Sequence, residues 1–275
     1  DASVELLWLM GPAGLAAFDA LNRVPMRETA RAFQESGVYV VRDSANFVVI
    51  DCGQHGFMNC GHAHADALSF VASFLGMPVF VDSGTYTYTA DRNARDYFRS
   101  SSAHNCLTVN GSGSAEPDGP FSWKHWPDSK VLEWNCDDTE VVFRGLHNGY
   151  ERFGVEYERE FRIGRSSGVF LIDKARTNVS NKFTINFILS PLIEAEMHSD
   201  DRVILRAKDG KQDLLAIVTK VIEKTSGDEC GAWQIEPAHI SPRYGMLVPT
   251  TKLIFSIDRN ADFEVENRFV LSRTT

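Results

Sequence analysis

Three of the eight histidines fall between Cys60 and Asn105, each beside small or polar residues. The stretch opens with Gly61-His62-Ala63-His64-Ala65-Asp66. It passes through Val81-Asp82-Ser83-Gly84-Thr85-Tyr86-Thr87-Tyr88 and closes with Ala103-His104-Asn105. On an extended strand successive side chains alternate between faces, so His62 and His64 would share one face. Two imidazoles flanked by alanines make half of a metal site, or else a pair of hydrogen-bonded structural histidines. Asp82 ends the apolar run Pro78 to Val81, and His104 precedes another, Cys106-Leu107-Thr108-Val109. Buried strands of that kind deliver their terminal residues to a sheet end. His64, Asp82 and His104 from separate strands, with one coordination position open, would suit zinc.

Arg92, Arg95 and Arg99 follow closely on Asp82, with Tyr97 among them. As a solvated helix face they need no function. If Asp82 and His104 converge, the intervening helix must sit beside them. Arg95 and Arg99 would then offer guanidinium groups to a carboxylate, and Tyr97 a phenol for proton transfer. Tyr86 and Tyr88 alternate with threonines and are expected on one side, toward the same cleft. Trp123, His125 and Trp126 follow a Gly- and Pro-rich loop, where aromatics pack a rim or stack on sugars. His55 is placed on a loop near the site, and His147, His198 and His239 receive no role. His62-Ala63-His64-Ala65-Asp66 superficially matches a metallo-β-lactamase signature, but position 67 is Ala and helices do not alternate with strands, so that reading fails. A cupin-like metal site built with Asp82 and His104 stays open as an alternative.

The elements that must position these residues are mostly strands. Residues 4–33 carry helical signals: a short apolar run ended by Gly11-Pro12, then Ala13 to Leu21, then Met26 to Phe33. Beyond Gly37 the period becomes two. Val38–Arg42 and Asn46–Asp51 read as a hairpin, and strand signals dominate onward to Phe263–Leu271, with Asp91 to Phe98 as the helical break. Turns such as Lys208-Asp209-Gly210-Lys211 punctuate them. Antiparallel strands with such turns imply a mainly β protein, a sandwich of stacked sheets.

At 275 residues the chain can bury a core without disulfide staples. Its five cysteines, Cys52, Cys60, Cys106, Cys136 and Cys230, are widely spaced without a Cys-x-x-Cys, as buried free thiols would be. A formal net charge of −9 argues against nucleic acid or an anionic membrane as the main partner. No apolar run reaches the roughly 18 residues of a membrane span. The first residues, Asp1-Ala2-Ser3-Val4-Glu5, lack an initiator Met and a basic signal region, as in a processed product or a piece of something longer.

The motifs from Gly61 to Phe70, then Val81 to Tyr86, Tyr97-Phe98-Arg99-Ser100 and Ala103-His104-Asn105, resemble in order and spacing the heparinase II/III-like family of polysaccharide lyases. The likeness is closest over residues 36–165. It implies an N-terminal α/α toroid followed by an antiparallel β-sandwich, with the active site between them. Residues 1–35 would be the end of the toroid and residues 36–275 the β-sandwich. By resemblance His64, Asp82 and His104 would bind one mainly structural zinc, His62 would point into the cleft, and Tyr97 would lie near the substrate. The family's principal tyrosine, with Asn and His partners, belongs to the helical domain, so this piece alone would be weak or inactive.

The implied chemistry is β-elimination in a uronic-acid polysaccharide. The C5 proton becomes acidic once the neighbouring carboxylate is neutralised, which His62 and donors from the toroid would do. A tyrosine would take the proton, and a tyrosine would protonate the departing glycosidic oxygen. An extracytoplasmic site, periplasmic or secreted, follows from family habit. The negative charge favours alginate, a less sulfated glycan or a bacterial surface polymer over heparin. A non-catalytic carbohydrate-binding or structural domain is the reading from another class.

Overall fold

The computed structural model describes residues 4–22, 29–164, 168–208, 210, 213–223 and 231–272. Cys230, the turn residues Asp209 and Lys211, and the start of the expected helix at Met26 lie outside these residues. The first element, α1 (Val4–Asp19), is broken at Gly11, whose φ of 67° interrupts it ahead of Pro12. Gly and Pro side by side prevent continuation of the helix, so the expected pair of short helices is what forms. The helix buries no residue, and Trp8 and Leu9 are each 84% exposed.

The expected helix ending at Phe33 is a strand instead. β1 (Thr29–Phe33) pairs antiparallel with β2 (Val38–Arg42), Ala32 opposite Tyr39. Gly37, at φ 70°, closes the connection, and cross-strand pairing overrides a weak helical pattern. The sheet therefore begins ahead of residue 36. It continues as a meander through β3 (Phe47–Asp51), β4 (Phe70–Phe74) and β5 (Met77–Phe80).

Two further sheets complete the sandwich. An eight-stranded antiparallel sheet runs from Ile193–Ser199 at one edge to Ser129–Cys136 at the other. A four-stranded sheet contains Leu107–Val109, Asn181–Ile188, Val248–Arg259 and Ala232–Ile240. The alternation read from sequence is visible in strand Glu140–His147, where every second residue is buried. Phe70, Phe74 and Phe80 meet Phe269 of the eight-stranded sheet, and Phe70 and Phe80 also meet Phe187 of the four-stranded sheet, with ring centroids 5.0–6.3 Å apart. The sheets are open and stacked, with no closed barrel among the described residues.

Among the described residues Cys52, Cys60 and Cys106 are buried free thiols, and Cys136 is a free exposed one. No described helix is long and apolar enough to cross a membrane.

Candidate metal centre and cleft

His62 and His64 do not lie on a strand. They sit in a loop after Cys60, whose backbone is left-handed at φ 56°, so strand alternation does not set their directions. His62 is exposed, whereas His64 turns inward. Three elements fasten the loop: Ala65 N–H donates to the Arg99 carbonyl at 2.8 Å, the Ser101 hydroxyl donates to the Ala65 carbonyl, and the Trp123 indole N–H donates to the Cys60 carbonyl at 2.9 Å. The alanines flanking the histidines are small because Ala63 and Ala65 pack with Cys60 and Ala115 against buried Trp123.

The distant segments converge. His64 Nδ1 lies 3.1 Å from His104 Nε2, and Asp82 Oδ2 lies 3.4 Å from the same nitrogen. Ligand atoms of His64, Asp66 and His104 all fall within 4.8 Å of one another. The imidazole pair thus has Asp66 as well as Asp82 beside it. His104 Nδ1 lies 2.8 Å from the Ser100 carbonyl, which can only accept; that nitrogen therefore carries the proton and Nε2 presents its lone pair. Burial, then the neighbouring His104, lower the pKa of His64 and favour the neutral ring a metal needs. Asp82 is oriented by the Gly84 N–H, which donates to Oδ1 at 2.7 Å. Two imidazoles with one or two carboxylates form a donor set that fits zinc.

Behind the cluster stands Arg159, fully buried on the eight-stranded sheet. Its Nε donates to Asp173 Oδ1 at 2.7 Å and Nη2 to Oδ2 at 3.2 Å. Nη1 donates to the carbonyls of Leu68 at 2.9 Å and Asn105 at 2.6 Å. Asn105 in turn donates to the carbonyls of Phe70 and Val81 and accepts from Ile188 N–H at 2.7 Å. These two residues tie the loops carrying Asp66, Asp82 and His104 to all three large sheets. Sequence reasoning missed Arg159, although Val155, Tyr157, Arg159 and Phe161 alternate onto one face. An arginine in an apolar inward series was the available signal.

The remaining expected site residues part company. Tyr88 stands edge-on to His62, centroids 5.4 Å apart, and Phe121 lies 5.8 Å from the same ring. His62, His64, Thr85, Thr87, Tyr88 and Arg99 line a shallow cleft. Tyr86 packs instead on Phe98 at 5.5 Å, because its left-handed backbone, φ 61°, breaks the alternation that would have aligned it with Tyr88. Tyr97 also meets Phe98, at 5.3 Å, and burial followed by the Glu236 carboxylate raises the pKa of its hydroxyl.

α2 (Arg92–Phe98) is capped by Asp91, which accepts from Ala94 N–H at 3.0 Å. Arg95 and Arg99 are buried and converge on Asp96 at 2.9 and 3.0 Å. Burial would raise the Asp96 carboxyl, but hydrogen bonds and charge from Arg95 and Arg99 outweigh it and hold it below its usual range. Arg99 also donates to the Gly119 and Pro120 carbonyls and lies over the Trp123 ring at 4.6 Å, clamping the loop that carries Phe121.

Of the other histidines, His55 meets Trp123 at 4.5 Å and stacks parallel to Trp126 at 6.5 Å. His147 is core, accepting the Gly149 N–H at 3.1 Å. A larger hollow lies on the outer face of the eight-stranded sheet. There Lys174 and Arg176 pair with Glu158 and Glu156, each at 3.7 Å.

The model of the family described as heparinase II/III-like, C-terminal, matches residues 25–268. No curated protein sequence matches the chain. Among solved structures, the heparan sulfate lyase HepC from Pedobacter heparinus has a TM-score of 0.73 at 15% identity, covering 98% of this chain and 41% of its own. A heparinase III, the BT4657 gene product, gives 0.72 at 16% identity, covering 97% and 40%. The 4-alpha-glucanotransferase of Thermococcus litoralis gives 0.52 at 9% identity, covering 90% and 42%. At these identities the likeness is one of fold, and the chain spans about two fifths of each of those proteins.

Proposed function

Because the chain belongs to the heparinase II/III-like family, we propose that it is the β-sandwich part of a polysaccharide lyase. The enzyme would cleave a uronic-acid-containing polysaccharide by β-elimination. An α/α toroid domain of the same protein would complete the active site, and the isolated chain would be weak or inactive. One observation carries the reading: adjacent loop histidines divide their roles. His62 is exposed on a cleft beside Tyr88 and Phe121, while His64 turns into the imidazole–carboxylate cluster.

In this reading His62 donates to the substrate carboxylate and stabilises the charge that spreads onto it as the C5 proton leaves. A tyrosine of the toroid takes that proton, the C4–O bond breaks and a C4=C5 double bond forms. The departing oxygen takes a proton from an acid. Tyr97 is our candidate for that acid. Arg95 and Arg99 act on the substrate by setting the position of the cleft loop. His64, Asp82 and His104, with Asp66 as a further carboxylate, would hold zinc, which cross-links the loop that presents His62. We place the protein outside the cytoplasm, where such polymers are met.

The test is to incubate the full-length protein with heparan sulfate, unsulfated heparosan and alginate and follow the ultraviolet absorbance of unsaturated uronate. Product formation that vanishes in His62→Ala supports the reading. Products bearing a saturated terminal uronate, or none from any polymer, would overturn it.

A further inference from the structure

Resting on the lyase reading above, we propose that Tyr244 joins Tyr88 and Phe121 in a stacking wall for a pyranose ring of the acidic glycan, immediately beside His62. Tyr88 is the centre of the wall. Its ring lies 5.7 Å from Tyr244, tilted by 31°, and 5.7 Å from Phe121, tilted by 39°. Tyr88 and Phe121 both touch His62. Tyr244 is 65% exposed and Phe121 40% exposed, so neither has been taken up by the core. Large aromatic rings left in water around a polar group offer flat apolar faces to the C–H faces of a sugar.

The wall is held in register with the metal cluster, and this separates it from a chance group of exposed rings. The segment bearing Tyr244 is laid onto the segment that follows Asp82. Ser241 N–H donates to the Ser83 carbonyl at 2.7 Å, and Gly245 N–H to the Tyr86 carbonyl at 2.8 Å. Ser241 Oγ and Met246 N–H close the turn on the Arg243 carbonyl at 2.8 and 3.0 Å. Gly84 makes the approach possible, since a Cβ there would stand 2.1 Å from the Ser241 carbonyl oxygen. Tyr244 is thus pinned on both sides by backbone bonds, with its ring still exposed. Preorganisation of that kind lowers the entropic cost of holding a ligand. Arg243, exposed and without an ion pair among the described residues, directly precedes Tyr244 and brings a cation to this segment of a chain of net charge −9. A ring bearing a carboxylate fits that combination better than a neutral sugar.

The experiment uses the full-length protein as wild type, Tyr244→Ala and Tyr244→Phe. Each is titrated calorimetrically with hexasaccharides of heparosan, heparan sulfate and alginate, and each is assayed for turnover. The best-bound hexasaccharide should weaken about tenfold in Tyr244→Ala, equivalent to about 1.4 kcal/mol, and under about twofold in Tyr244→Phe, which keeps the ring. KM should rise while kcat holds, and the melting temperature without glycan should stay at the wild-type value. Unchanged affinity in Tyr244→Ala overturns the proposal. So does a Tyr244→Phe loss as large as the alanine loss, which would assign the effect to the hydroxyl. A lowered melting temperature in Tyr244→Ala without glycan would instead make the ring a contact between domains. Wild type that binds without elimination sinks the lyase reading and leaves the wall standing. Failure of wild type to bind any of the three hexasaccharides sinks both.

Discussion

Replacing Arg159 by Met tests whether the site loops are held from behind. The side chain is fully buried, forms a two-pronged pair with Asp173, and satisfies the carbonyls of Leu68 and Asn105. Methionine fills much of the volume but supplies no donor. It leaves a buried carboxylate unpaired, which costs about 3–5 kcal/mol. Two carbonyls that flank the candidate metal ligands are also orphaned, at about 1–3 kcal/mol each if nothing relaxes. The Tyr157 hydroxyl, which donates to Asp173 Oδ1, and local relaxation reduce the sum, so we expect a loss of about 5 kcal/mol, against a typical total of about 5–15 kcal/mol. Urea unfolding followed by tryptophan fluorescence reads it, with a common slope required for the comparison. Removing the stranded charge in Arg159→Met/Asp173→Leu should restore about 2 kcal/mol relative to the single variant. A single-variant loss under about 1 kcal/mol, or a double variant less stable than the single one, would refute the reasoning.

Acid sensitivity should arise in part at His147. Burial, followed by the Arg159 charge, lowers its pKa from 6.5 to about 3. Below pH 6.5 the unfolded chain takes up a proton that the native chain refuses, so stability is full above pH 6.5 and falls as pH drops toward about 3. His147→Asn keeps an acceptor for Gly149 N–H and should flatten unfolding free energy against pH across that window; an unchanged slope counts against the assignment. Gly84→Ala should cost over about 2 kcal/mol, combining a left-handed backbone with the clash at Ser241. Gly76 shares the φ of 77° but has nothing within 4 Å of the point where a Cβ would stand, so Gly76→Ala isolates the backbone share. Equal melting temperatures for the two alanine variants would disprove the close approach. Elemental analysis should find about one zinc per chain, lost in His64→Ala and in Asp82→Ala. A lower zinc affinity in Asp66→Ala would make Asp66 a ligand, whereas unaltered affinity would confine it to the surrounding shell.

The residues by themselves determined most of the elements, the strand Thr29–Phe33 and the loop of His62 and His64 excepted. Strict alternation in Glu140–His147 places every second side chain in the core, Gly11-Pro12 breaks the first helix, and Asp91 starts the second one. These are local effects of backbone geometry, and a linear pattern carries them. His64, Asp82 and His104 were legible as candidates because small residues and apolar runs surround them. Tertiary structure alone decided the rest. The left-handed turns at Cys60 and Tyr86 redirect side chains that a regular strand would have aligned, sending His62 to the cleft and Tyr86 to Phe98. Arg95 and Arg99 read as free cations in the chain, yet Asp96 and two backbone carbonyls occupy their donors. Asp66, Arg159 and Tyr244 owe their places to contacts between segments far apart in sequence. Such contacts depend on which buried groups find partners when the sheets stack, and periodicity within a strand does not encode that choice.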